Sequence, residues 1–151
     1  MKLEDVLKTS KFNDEVHKAT LNILYTSYWM RDNMSAVMKD IGITSEQFNI
    51  LRILKGKYPK AMCVKDIAGR MIEKSSNVPR ILDRLVAKEL VMRTTSKEDK
   101  RETIISLTET GMKTLQTANE ALVEINRKTI GITNEEAVVL NQLLEKLRKT
   151  D

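Results

Sequence analysis

A chain of 151 residues, 41% hydrophobic and 31% charged, can bury one core, and its balance is that of a soluble globular protein. Its single cysteine, Cys63, excludes an internal disulfide and suits a reducing compartment. No apolar run reaches membrane-spanning length and the start is polar, so the cytosol is the expected compartment. The net charge of +5 is modest but localised: eleven basic and six acidic residues between positions 60 and 101 carry the whole excess.

Only five glycines and two prolines favour helix over sheet. Residues 1–11 are polar and predict a loose arm or a short first turn. A long helix is expected from about residue 13 to residue 39. One of its stripes holds Leu21, Leu24, Tyr25 and Tyr28, and another holds Ile23, Met30, Met34, Val37 and Met38. Two apolar stripes predict burial on more than one side, the second against a partner subunit. Thr44-Ser45-Glu46-Gln47 matches a capping box that opens the next helix, with Phe48, Leu51, Ile53 and Leu54 apolar and a stop near Gly56.

Tyr58-Pro59-Lys60 is a turn. Val64 to Met71 is expected as the first helix of a helix-turn-helix, with Ile67, Ala68 and Met71 inward. After a turn at Ile72 to Lys74, Ser75 or Ser76 is the expected N-cap of the second helix. Val78, Ile81, Leu82 and Leu85 form its apolar face, and Asn77, Arg80 and Arg84 lie opposite. Pro79 falls in or just past the first turn, where its missing N–H costs little. Leu90-Val91-Met92-Arg93 and Thr103-Ile104-Ile105-Ser106-Leu107 read as two strands around a charged turn. Thr108 is the expected cap of a long amphipathic helix carrying Leu115, Ala118, Leu122 and Ile125 to about Lys128. Thr133-Asn134-Glu135-Glu136 is a second capping box before a last helix with Ala137, Leu140, Leu143, Leu144 and Leu147. That helix is expected to end in Lys146, Arg148 and Lys149.

A helix with a polar, basic outer face beside a basic-tipped hairpin suits the grooves of DNA. The amphipathic end helices would pair two copies, placing their reading helices roughly 34–36 Å apart.

The run Leu90-Val91-Met92-Arg93, then Asp99-Lys100-Arg101, then Leu107-Thr108-Glu109-Thr110-Gly111 resembles the MarR family of bacterial transcriptional regulators. The Asp-x-Arg of the wing and the Leu-Thr-x-x-Gly after it carry the resemblance most sharply. Val64-Lys65-Asp66-Ile67-Ala68 and Arg80-Ile81-Leu82-Asp83-Arg84-Leu85 are similar to the family's two helix-turn-helix elements. The resemblance implies a mainly α fold in one domain, 1–151. A winged helix-turn-helix DNA-binding lobe would span about 44–111, and helices at about 1–40 and 112–151 would form a dimerisation lobe. It further implies a homodimer on a palindromic double-stranded DNA operator. Most members repress, and many release DNA on binding a small aromatic effector or meeting an oxidant. Three positions depart from the pattern. Glu89 stands where glycine usually turns the helix into the strand, Ile72 replaces a common turn glycine, and Pro79 replaces a Thr or Ser that often meets phosphate.

The expected DNA-contacting residues are Ser75, Ser76, Asn77, Arg80, Arg84, Lys97, Asp99, Lys100 and Arg101. Arg pairs well with guanine and Asn with adenine, which suits Arg80 and Asn77 near the N-terminal half of the reading helix. Ser75 and Ser76 could reach phosphate, one of them being used as the cap. Arg101 resembles the family's minor-groove arginine, with Asp99 orienting it through an ion pair. Lys97 and Lys100 would supply phosphate charge, with Arg70 and Lys74 as weaker candidates. Tyr25, Tyr28, Trp29, Phe48 and Met62 would line an effector pocket, although residues at such spacing often form plain core. Cys63 stands where the family often caps the next helix with Thr or Ser; it is expected as a buried, inert thiol, and His17 as structural.

No glycine-rich phosphate loop, Ser–His–Asp set or ligand cluster is present, so no enzyme, cofactor or metal site is expected. The competing function is a winged-helix protein-interaction or non-specific nucleic-acid-binding module without ligand control.

Overall fold

The computed structural model describes residues 1–96 and 99–148. Lys97 and Lys149 lie outside the described residues. In chain order the elements are α1 (Leu3–Leu7), α2 (Glu15–Asp40), α3 (Ser45–Lys55), β1 (Met62–Cys63), α4 (Val64–Arg70), α5 (Val78–Ala87), β2 (Val91–Thr95), β3 (Thr103–Leu107), α6 (Glu109–Thr129) and α7 (Asn134–Leu147).

Side-chain caps set the starts of α2 to α7. Thr44 with Gln47 and Thr133 with Glu136 form the two expected capping boxes, and Thr108 caps α6. Asp14 caps α2 by accepting the His17 N–H, and His17 Nδ1 in turn accepts the Asn13 N–H. The single histidine is thus part of a helix start. Cys63 caps α4, its Sγ accepting the Asp66 N–H at 3.4 Å. Its side chain is only half-buried, because the cap faces the start of a surface helix.

The cap of α5 departs from expectation: it is Asn77, not Ser75 or Ser76. A cap at Ser76 would put Pro79 at the third helical position, where proline has no N–H to give. With Asn77 as cap that position belongs to Arg80, whose N–H meets Asn77 Oδ1 at 3.2 Å.

Two helices end in the same way. After α2, Ile43 N–H bonds Met38 O and Gly42 N–H bonds Lys39 O, with Gly42 at φ +82°. After α5, Leu90 N–H bonds Leu85 O and Glu89 N–H bonds Val86 O. Both are Schellman closures, whose left-handed residue is usually glycine. In the second that residue is Glu89, at φ +58°. Its Cβ costs about 1 kcal/mol there. Glu89→Gly is therefore expected to stabilise the protein by about 0.5–1 kcal/mol, despite the greater freedom glycine gives the unfolded chain. Urea denaturation at fixed protein concentration checks this; a destabilised variant would show that the Glu89 side chain contributes more than its backbone costs.

The sheet order is β1-β3-β2, all antiparallel. Val91 faces Leu107 and Thr95 faces Thr103 across the hairpin, while Met62 and Cys63 face Ile105 and Ile104. The two-residue β1 is too short to show a sequence period.

The core gathers Met38, Phe48, Ile50, Leu51, Leu54, Ile67, Met71, Leu82, Leu85, Ile105 and Leu115, with Met34 and Val37 packed against it. It draws on only the C-terminal part of α2 and on α6 as far as Leu122. Earlier along α2, Val16, Leu24, Tyr28 and Met30 are instead exposed, and α7 buries no residue at all. At the far end, α1 is held on α2 by an ion pair from Lys18 Nζ to Glu4 at 2.6 Å. That hydrogen bond holds the Glu4 carboxyl below, and the Lys18 ammonium above, their ordinary ranges.

Candidate nucleic-acid interface

The reading face is built on α5. Val78, Leu82 and Leu85 are buried, which turns Arg80, Asp83 and Arg84 outward. Arg80 and Arg84 form no ion pair among the described residues. Asp83, the one acid of this helix, is engaged: Arg93 Nη2 on β2 meets its carboxylate at 2.7 Å. This pair does two things that the sequence did not reveal. It mutes the negative charge beside the two arginines, and it ties the wing strand to the reading helix.

Asn77 is exposed, but its Oδ1 is committed to the cap. That leaves the amide Nδ2 as its outward group, weaker than the donor–acceptor pair adenine asks for. Ser75 Oγ lies 3.4 Å from Glu73, and Ser76 Oγ is buried without a partner among the described residues. Lys74 bends back to the Gly69 carbonyl at 2.6 Å, closing the end of α4.

At the wing, Ser96 N–H bonds Glu102 O and Glu102 N–H bonds Asp99 O. Asp99 Oδ1 accepts the Arg101 N–H at 2.9 Å and lies 3.5 Å from Arg101 Nε. The expected ion pair is therefore formed, through a turn rather than across a strand face. Arg101 remains 94% exposed and extends from the hairpin tip. Lys100 is exposed beside it.

The opposite end of α5 is anchored as well. Lys88 Nζ donates to Gly42 O at 2.6 Å and to Gln47 Oε1 at 3.1 Å. Gln47 Oε1 also accepts the Thr44 N–H of the capping box. The reading helix is thus fastened to the junction where α2 ends and α3 begins.

The five expected pocket residues differ in their surroundings. Phe48 and Met62 belong to the core, Tyr25 and Trp29 are half-buried outside it, and Tyr28 is 64% exposed. A cleft of about 250 Å³ with mixed lining lies between Thr44, Glu46, Glu73, Ser76, Ile81 and Arg84. A shallow apolar groove of about 440 Å³ runs along α7 over Val139, Leu140 and Leu143.

Comparison with known proteins agrees with this geometry. The family model described as the MarR family matches residues 43–103, from the end of α2 to the start of β3. YpoP of Bacillus subtilis, an HTH-type transcriptional regulator, is 35% identical over 121 residues, covering 80% of this chain and 84% of that protein. A MarR-like transcription regulator of Bacillus cereus superposes with a TM-score of 0.78 at 21% identity, over 89% of this chain and 96% of that one. A MarR variant from E. coli, complexed with operator DNA, superposes with a TM-score of 0.77 at 21% identity, over 93% and 100%. With its winged helix-turn-helix, its wing Asp-x-Arg and this degree of identity to a regulator matched along most of its length, the chain belongs to the MarR family of transcriptional regulators.

Proposed function

We propose that the protein is a sequence-specific repressor that binds a palindromic operator as a homodimer. In this reading residues 44–111 hold the DNA, and residues 1–40 and 112–151 pair the two copies. The observation that carries it is the pair of exposed arginines on α5, Arg80 and Arg84, without an ion pair among the described residues and beside an acid already neutralised by Arg93. Arg80 reads a base in the major groove, while Arg101 enters the minor groove, oriented by Asp99. Lys97, Lys100 and the Ser75 hydroxyl bear on phosphate.

The reading assigns no catalytic step to the chain. His17 and Cys63, the residues that could have formed a base–nucleophile pair, lie at the starts of two different helices, α2 and α4. Cytoplasmic placement belongs to the same reading; no helix among the described residues is long and apolar enough to cross a membrane. A small aromatic effector would act by favouring a dimer whose reading helices are wrongly spaced, weakening DNA binding by its preference for that form. Tyr25, Tyr28 and Trp29 on α2 are the side chains that a second copy could close into such a site.

Gel shifts on a duplex selected from a random library and on its scrambled counterpart, across a salt series, test the reading. Arg80→Ala is expected to lose about 1–3 kcal/mol on the selected duplex and to bind the scrambled one unchanged. Lys100→Ala should weaken both alike and lower the salt slope by about 1 for each phosphate no longer neutralised. Equal losses on both duplexes for Arg80→Ala would favour a non-specific binder instead.

A further inference from the structure

We infer that a second basic surface, on the flank of the winged helix, takes phosphates of the duplex outside the half-sites. The inference rests on the DNA-binding reading above. Residues 47–65 contain five basic side chains, Arg52, Lys55, Lys57, Lys60 and Lys65, and no acidic one. Their +5 equals the net charge of the entire chain. All five are exposed. Arg52 donates to the neutral Asn49 Oδ1, and Lys55 Nζ sits 5.3 Å from the Tyr58 ring centroid. None of the five pairs with a carboxylate among the described residues.

Topology gives this charge a direction. β1 runs antiparallel to β3, with Met62 opposite Ile105 and Cys63 opposite Ile104. The chain therefore travels from Lys60 towards the hairpin tip and delivers Lys65 into the first turn of α4. As the first helix of the helix-turn-helix, α4 is the element that crosses the DNA backbone. Lys60, Lys57 and Lys55 lie at the other end of the sheet, gathered by a tight turn in which Lys60 N–H bonds Lys57 O. The result is a band that begins at the operator and leads away from the wing tip along the side of the lobe.

The chemistry favours DNA over an acidic protein. Four of the five groups are lysines, point charges on flexible stems that match phosphates without a fixed geometry. On the DNA-binding reading, α4 crosses the backbone and brings Lys65, the near end of the band, to phosphates. The anion that can reach the rest is the same duplex, bent towards the protein beyond the half-site. Charges on the band act on it only at close approach, because salt screens them beyond roughly 8 Å.

The test compares two probes. One is a library-selected duplex of about 20 base pairs; the other is the same core with about 20 base pairs of unrelated sequence on each side. The native protein is expected to bind the long probe about tenfold tighter and with a steeper salt dependence. The variant K55A/K57A/K60A should bind both probes equally, with affinity for the short one unchanged within about twofold. Added duplex also adds non-specific sites, so the difference between the two proteins is the readout. The charge-preserving K55R/K57R/K60R should keep the length dependence. If the alanine variant keeps it too, the band serves another partner, an acidic protein surface first among them, and the inference fails. If the native protein binds neither probe, the DNA-binding reading itself is wrong.

Discussion

Replacing Gly111 with alanine is expected to lower the stability of the protein by on the order of 3–5 kcal/mol, among the largest effects of any single methyl group in this chain. Gly111 sits in the first turn of α6, directly against the turn that leads from α5 into β2. A Cβ at this position would overlap the Leu90 carbonyl oxygen and come within 2.9 Å of Leu107 Cδ1. The carbonyl cannot simply retreat. It accepts the Thr108 N–H at 3.3 Å and shares the single Thr108 hydroxyl hydrogen, at 2.9 Å, with the Glu89 carbonyl at 2.8 Å, and Thr108 Oγ1 in turn accepts the Gly111 N–H at 2.9 Å. The Leu-Thr-x-x-Gly signature is thus one device. Leucine packs, threonine caps α6 and pins the preceding turn, and glycine lets the two backbones touch. Thermal unfolding followed by circular dichroism at a fixed chain concentration should show Tm lower by roughly 10 °C. A loss below about 1 kcal/mol would mean that the two segments separate at little cost, and the account of the signature would be wrong.

The second large effect is expected at α7. Introducing Asp at both Leu140 and Leu143 should convert a dimer into a monomer at micromolar concentrations and weaken operator binding by about a hundredfold or more. None of the 14 residues of this helix is buried, although Val138, Val139, Leu140, Leu143 and Leu147 are each 45% exposed or more. A helix this apolar and this uncovered needs a partner surface. Two linked half-site contacts bind as one event; separated, each must hold DNA alone. The core contains no α7 residue, so the winged helix should survive and the far-ultraviolet dichroism should stay strongly helical. Sedimentation equilibrium separates the outcomes. A variant that remains dimeric would assign the pairing to other surfaces.

Most of the architecture is legible in the sequence because its punctuation is local. Thr44 with Gln47, Thr108 with Gly111, and Thr133 with Glu136 announce helix starts within four residues. Glu89, out of place where glycine is usual, marks a left-handed turn by its position alone. The start of α5 is less legible, since Ser75, Ser76 and Asn77 are all competent caps. The choice depends on which position leaves Pro79 where no N–H is needed. The contacts that aim the site are the least legible. Arg93 meets Asp83 across ten residues, and Lys88 meets Gly42 and Gln47 across more than forty. No periodicity links such pairs; only the fold brings them together. The pocket residues show the opposite difficulty. Tyr25, Tyr28 and Trp29 stand at helical spacing, yet two are half-buried and Tyr28 is exposed, a difference that spacing alone does not show.

The Lys88 clamp bears on how such a protein evolves. Because Lys88 ties the reading helix to the junction where α2 ends and α3 begins, a substitution there, remote from DNA, is expected to alter how the reading helix is held. Drift at the end of the long helix α2 would then reposition the reading helix while every side chain on its outer face stayed the same.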